Sequence, residues 1–102
     1  MGEEISTFLY KIVPTRPDFA TFWTEAEEKA MKEHFAYLKG LLEEGRLVLA
    51  GPCIDASFGI VIFDAESLEL AREVALADPA IVAGVMSFEV HEFRVSLMKG
   101  KG

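Results

Sequence analysis

The chain has 102 residues, the size of one domain, and its 51% apolar and 26% charged residues are a globular rather than a disordered composition. A formal net charge of −7, from 17 acidic and 10 basic residues, argues against a nucleic-acid partner and against an anionic membrane surface, because no basic cluster exists to replace counterions. Cys53 is the single cysteine, so neither an intrachain disulfide nor a cysteine-based metal site can form.

No apolar run approaches the ~18 residues of a membrane span, and the start lacks the cationic and apolar segments of a secretory signal. Gly2 followed by Ser6 resembles a myristoylation signal, but Glu3 and Glu4 intervene and no second anchoring feature accompanies them. A cytoplasmic protein of one domain, residues 1–102, is the expectation. A chain this short buries roughly 60–70% of its unfolded surface, so association is a natural supplement to its core.

Ser6 to Val13 reads as the first strand, with Phe8, Tyr10 and Ile12 on one face and Leu9 and Val13 on the other. Pro14 and Pro17 stop it, and a loop carrying Phe19, Phe22 and Trp23 follows. Thr24 is placed as an N-cap, with Glu27 three residues later completing a capping box. The helix that follows runs to about Glu44 and is closed by Gly45. Met31, Phe35, Leu38 and Leu42 form its apolar stripe, bordered by a second row of Ala30, His34, Tyr37 and Leu41.

Arg46 to Ala50 reads as a short strand broken by Gly51-Pro52, and Phe58 to Phe63 as a third strand that is apolar almost throughout. Ser67 caps a second helix to about Leu76, with Leu68, Ala71 and Ala75 inward. Asp78-Pro79 opens a short turn closed by Gly84. The last strand spans about Val85 to Leu97, and its alternation changes phase near Glu92, which predicts a bulge or bend. The order β-α-β-β-α-β predicts a ferredoxin-like α+β fold, an antiparallel sheet with both helices on one face. The first and third strands are apolar on both faces, which points to a second sheet covering the open face, most simply that of another copy.

No phosphate loop, zinc-type spacing, nucleophile elbow or dinucleotide fingerprint occurs, so no metal or organic cofactor is expected. His34, mid-helix at the edge of the stripe, is a candidate proton carrier; the competing reading is a half-buried histidine satisfied by a backbone carbonyl. Asp78 could orient an imidazole, or simply cap the turn that Pro79 opens, and a carboxylate with two oxygens can do both. The rigid break at Gly51 and Pro52 can bring backbone close to a ligand. Tyr10, Trp23, Tyr37 and Phe58 are candidate pocket walls that could equally be plain core. Cys53, with no neighbouring base or cation, reads as a small buried hydrophobe. His91 reads as solvated, and a metal site shared by His34 and His91 lacks ligand spacing.

The strings His34-Phe35-Ala36-Tyr37-Leu38 and Leu41 to Pro52 resemble the YCII-like (YciI) family. So do Ala77-Asp78-Pro79, Ala83-Gly84-Val85 and the closing Val90-His91-Glu92-Phe93, and the resemblance covers nearly the whole chain. It implies a homodimer through sheet faces, a dimeric α+β barrel, with a histidine–aspartate pair beside the sheet that maps onto His34 and Asp78. One branch of the family eliminates HCl from a chlorinated hydroxyquinol. Many relatives carry an arginine where this chain has Met31, with Lys32 placed on another part of the helix, and an aromatic residue where it has Ala80. The expectation is therefore a cofactor-independent lyase or isomerase acting on a small cyclic or aromatic molecule. His34 would be the base, Asp78 its partner, and Tyr10, Tyr37, Gly51, Pro52 and Phe58 the substrate-binding residues. The alternatives are a ligand-binding or regulatory dimer without catalysis, a purely structural dimerisation domain, or a monooxygenase of the same architecture.

Overall fold

The computed structural model describes residues 5–100, so the Gly2–Ser6 signal at the start lies largely outside the described residues. Strand β1 (Ser6–Pro14) is followed by helix α1 (Glu25–Glu43), strands β2 (Leu47–Pro52) and β3 (Gly59–Ala65), helices α2 (Leu68–Leu76) and α3 (Pro79–Val82), and strand β4 (Met86–Phe93). The four strands form one sheet in the order β2-β3-β1-β4, every neighbouring pair antiparallel. This is the ferredoxin-like α+β arrangement expected from the element order. Among the described residues no helix is long and apolar enough to cross a membrane.

Period-two burial in β1 assigns its faces. Phe8, Tyr10 and Ile12 are buried beneath the helices, alongside Val61, Phe63 and Ala65 of β3. The Phe63 ring meets Tyr10 edge-on, with centroids 5.7 Å apart, and Phe8 at a tilt. Small residues on the helices, Ala30, Ala71, Ala75 and Ala80, let them approach this aromatic layer closely.

Helix ends are closed by local chemistry that sequence alone could read. The Thr24 hydroxyl accepts from the Glu27 N–H while the Glu27 carboxylate accepts from the Thr24 N–H, a complete capping box. At the other end Gly45 takes a φ of +78°, and the Arg46 and Gly45 N–H groups donate back to Leu41 and Leu42. The same six-residue closure recurs after α3, where Gly84 has a φ of +76° and Val85 donates to Ala80. Thr15 then donates its N–H to the Val85 carbonyl and its hydroxyl to that of Gly84, tying the end of β1 to this turn.

Four features differ from the sequence reading. Gly51 and Pro52 belong to β2 rather than breaking it, because β2 is an edge strand whose missing Pro52 N–H faces no partner strand; Pro52 pairs with Gly59. Strand β4 stops at Phe93 in continuous register with β1, with no bulge. The change of phase instead marks where the sheet ends: Phe88 and Val90 face the helices, Phe93 faces the open side, and residues 94–98 continue exposed without regular structure. Leu68 is half exposed and Val74 takes its expected inward place on α2.

The fourth difference matters most. On α1 the buried residues are Ala30, His34 and Leu41 of the second row together with Leu38 of the stripe, whereas the stripe's Phe35 is 64% and Leu42 57% exposed. The stripe that periodicity assigns to the core borders an open cavity instead.

Arg16 fixes the loop that leads into α1. Its guanidinium donates twice to the Glu27 carboxylate and once to the Phe22 carbonyl, and stacks on the Phe22 ring. Hydrogen bonds from Arg16, then from the Thr24 N–H, hold the Glu27 carboxyl at about 2, well below its ordinary range. A depressed folded value stabilises the folded form above the unfolded value and fades as pH falls toward the folded one. Emission from Trp23, next to the cap, is therefore expected to report loosening of this loop between about pH 4.5 and 2. Glu27→Gln should lack that acid step and show the loosened signal already at pH 7; an unchanged acid profile in the variant would contradict the assignment.

Candidate functional site

Three elements deliver the polar centre. Strand β1 contributes Tyr10, α1 contributes His34, and the N-cap of α3 contributes Asp78. Asp78 is fully buried and accepts from three directions. Its Oδ1 takes the Ala80 N–H at 2.9 Å, its Oδ2 takes the Tyr10 hydroxyl at 2.7 Å, and both oxygens lie 2.8 Å from His34 Nδ1. Capping and imidazole contact thus coexist on one side chain, and no backbone carbonyl is needed to satisfy His34.

The donor count assigns the tautomer. Burial first, then the charge and hydrogen bond of Asp78, push the Tyr10 phenol far above its ordinary range, so it remains a donor. A carboxylate that already receives a phenol and a backbone amide has acceptors to offer, so His34 Nδ1 carries the hydrogen and donates it. Nε2 of the neutral ring then keeps its lone pair. That atom has no hydrogen-bond partner, yet no buried side-chain nitrogen or oxygen among the described residues is left unpaired, so Nε2 is reachable from outside. His34 is among the residues that line the large cavity.

The cavity, about 920 Å³, lies between α1 and the β2–β3 end of the sheet. Its walls are overwhelmingly apolar: Met31, Phe35, Leu38 and Leu42 from α1, Leu47 and Leu49 from β2, and Trp23, which stacks on Phe19 with centroids 5.1 Å apart. This volume falls within the range of small-molecule pockets. The loop between β2 and β3 closes one side through Cys53, Ile54 and Ala56, the last held at a φ of +63°.

Of the residues singled out in the sequence as candidates for a site, the structure brings Trp23, His34, Gly51, Pro52 and Phe58 to the cavity. Tyr10 and Tyr37 are not among the residues that line it. Tyr10 is fully buried with its hydroxyl committed to Asp78, and the Tyr37 hydroxyl donates to the Val74 carbonyl at 2.7 Å, joining α1 to α2. Cys53 is half-buried on the cavity wall rather than in the core. His91 lies exposed on the open face beside Glu89, 3.0 Å away, while His34 is on the helical side. Among the described residues no group of three or more potential metal ligands comes together. Lys32, expected to point elsewhere, reaches the cavity margin, as does Lys39. The missed residues had a signal: two adjacent apolar rows on α1 make a stripe wider than one sheet contact can cover.

The fold and this centre define a ferredoxin-like α+β protein with a buried carboxylate–imidazole pair at the wall of an apolar cavity. The chain belongs to the YCII family, whose YCII-related domain matches residues 8–94. It is 36% identical over 62 residues to the uncharacterised protein YjpA of Bacillus subtilis (strain 168), covering 61% of this chain and 73% of that protein. Among solved structures it resembles the 5-chloro-2-hydroxyhydroquinone dehydrochlorinase of Burkholderia phenoliruptrix AC1100, in complex with 2,5-dihydroxybenzoquinone. The TM-score is 0.68 at 19% identity, covering 86% of this chain and 93% of that one. It also resembles muconolactone isomerase, with a TM-score of 0.68 at 15% identity and coverage of 94% and 97%. At these identities the structural likeness establishes the fold.

Proposed function

We propose that this protein is a cofactor-independent enzyme of proton-transfer chemistry, a lyase or isomerase acting on a small cyclic or aromatic molecule. The observation that carries the reading is the oriented imidazole: Nδ1 is committed to a buried carboxylate, Nε2 is left accessible, and the residue lines an apolar cavity. Nε2 would take a proton from the bound molecule, and Asp78 would stabilise the resulting imidazolium. Return of the proton to a different atom gives isomerisation; departure of an anionic leaving group gives elimination. The dehydrochlorinase and isomerase among the structural relatives are enzymes of these two classes.

The test incubates the protein with chlorinated hydroxyquinols and with enolisable lactones in D₂O, following chloride release and deuterium incorporation. Wild type is expected to turn over at least one member, and His34→Gln to be slower by about a hundredfold or more. Undiminished turnover in His34→Gln would remove the imidazole from the mechanism. Saturable binding without turnover by the wild type would instead favour a ligand-binding or regulatory module.

The reading includes a cytoplasmic homodimer. Leu9, Val13, Ile60 and Ile62 stand around Lys11 on the helix-free side of the sheet, and Phe93 extends this apolar patch. Val95, 39% exposed, and Leu97, 89% exposed, prolong the apolar series beyond the sheet. A second copy packed face to face would bury this strip. Sedimentation is expected to give twice the chain mass, and Ile60→Lys to shift it toward the monomer; a wild-type monomer at micromolar concentration would refute the dimer.

A further inference from the structure

One residue in six of this chain is Asp or Glu, yet none of the residues lining the cavity is acidic. The charged side chains at its wall are Lys32 and Lys39, both from α1. With Phe35 and Leu42 they form a single ridge, at successive spacings of three, four and three, that runs along the cavity margin. The two lysines are seven residues apart, so their stems rise from the same face about 10 Å from one another along the axis. Among the described residues neither ammonium is within salt-bridge distance of a carboxylate, although Lys29 on the same helix pairs with Glu33. His34 belongs to the adjoining row, between the two lysines in sequence.

We propose that the cavity selects an apolar ring bearing one carboxylate, with Lys32 and Lys39 as the specificity-determining residues that hold the acid group at the mouth. The inference rests on the small-molecule reading above and adds the charge of the ligand to it. The physical case is a contrast of environments. In an acidic protein the average surface repels an anion, whereas the residues lining this concave margin carry two lysines and no acid, beside low-dielectric apolar walls. A neutral ring would gain the apolar contacts but nothing from the lysines. With its acid group at the ridge, the ligand's ring would rest on Phe35 and Leu42, with its body directed inward toward His34 Nε2.

The experiment uses matched pairs that differ only in charge: benzoate with benzamide, 2-naphthoate with 2-naphthamide, and 3-cyclohexylpropionate with its amide. Binding to the full chain is measured by calorimetry at 20 mM and 500 mM NaCl. At low salt the acid of at least one pair is expected to bind about tenfold more tightly than its amide, and high salt to erase most of that preference. The Lys32→Gln, Lys39→Gln double variant should bind the amide as wild type does and lose the preference for the acid. Acid and amide binding equally, or a preference that survives in the double variant, would overturn the charge selection while leaving the His34 chemistry intact. Binding of neither member of any pair would overturn both this inference and the small-molecule reading. Because both lysines are exposed, loss of fold in the variant is not expected; unchanged amide affinity checks it directly.

Discussion

Replacing Asp78 by alanine is expected to lower the stability of this protein by about 3–5 kcal/mol, the largest effect of any polar substitution in the chain. The side chain is fully buried and accepts from Tyr10, His34 and the Ala80 N–H, so its removal orphans three donors in one place and uncaps α3. Asp78→Asn separates shape from charge. An amide has one acceptor oxygen for those three donors, and its NH₂ group must face at least one of them. The relaxed arrangement lets the amide donate to His34 Nδ1, which reverses the tautomer and places the hydrogen on Nε2, where the cavity needs a lone pair. Urea unfolding measures the stability change, and long-range ¹H–¹⁵N spectra of the imidazole read the tautomer. A loss under about 1 kcal/mol in Asp78→Ala would show that the network does not hold the fold together. An unchanged tautomer in Asp78→Asn would show that Asp78 does not orient His34.

Tyr10→Phe is expected to be the second most costly conservative change, at about 1.5–3 kcal/mol, because the lost hydrogen bond runs to a charged, buried acceptor. The ring itself stays packed against Phe63, so the loss belongs to the hydroxyl rather than to a cavity. Tyr37→Phe provides the internal comparison. It also removes one hydroxyl, but from a neutral carbonyl at a half-buried site, and is expected to be less destabilising, at about 1 kcal/mol. The two phenylalanine variants should therefore separate clearly in chemical denaturation. In Tyr10→Phe the His34 Nδ1 proton should also move downfield, since Asp78 retains only two donors and its bond to the imidazole strengthens. Equal stability of the two variants, with the Nδ1 proton unmoved, would mean that Tyr10 is packing alone.

The features legible from the residues alone are those whose physics is local. Thr24 with Glu27, Gly45, and Asp78-Pro79 with Gly84 close their helices through partners a few residues away, so their chemistry is legible without a fold. Period-two alternation likewise put Phe8, Tyr10 and Ile12 on one shared face of β1, and the element order was enough for the ferredoxin-like sheet. Which residues of the two adjacent rows on α1 meet the core depends on long-range packing. Both have helical periodicity, and the choice depends on how α1 is set against β1 and β3, which periodicity does not encode. The same ambiguity hid the cavity: Phe35 and Leu42 look like core until the space beside them is seen to be empty. Tyr10 was legible as a buried strand residue but not as the phenol donor to a carboxylate 68 residues away, because no local pattern reports a contact that β1 and α3 make only when packed together.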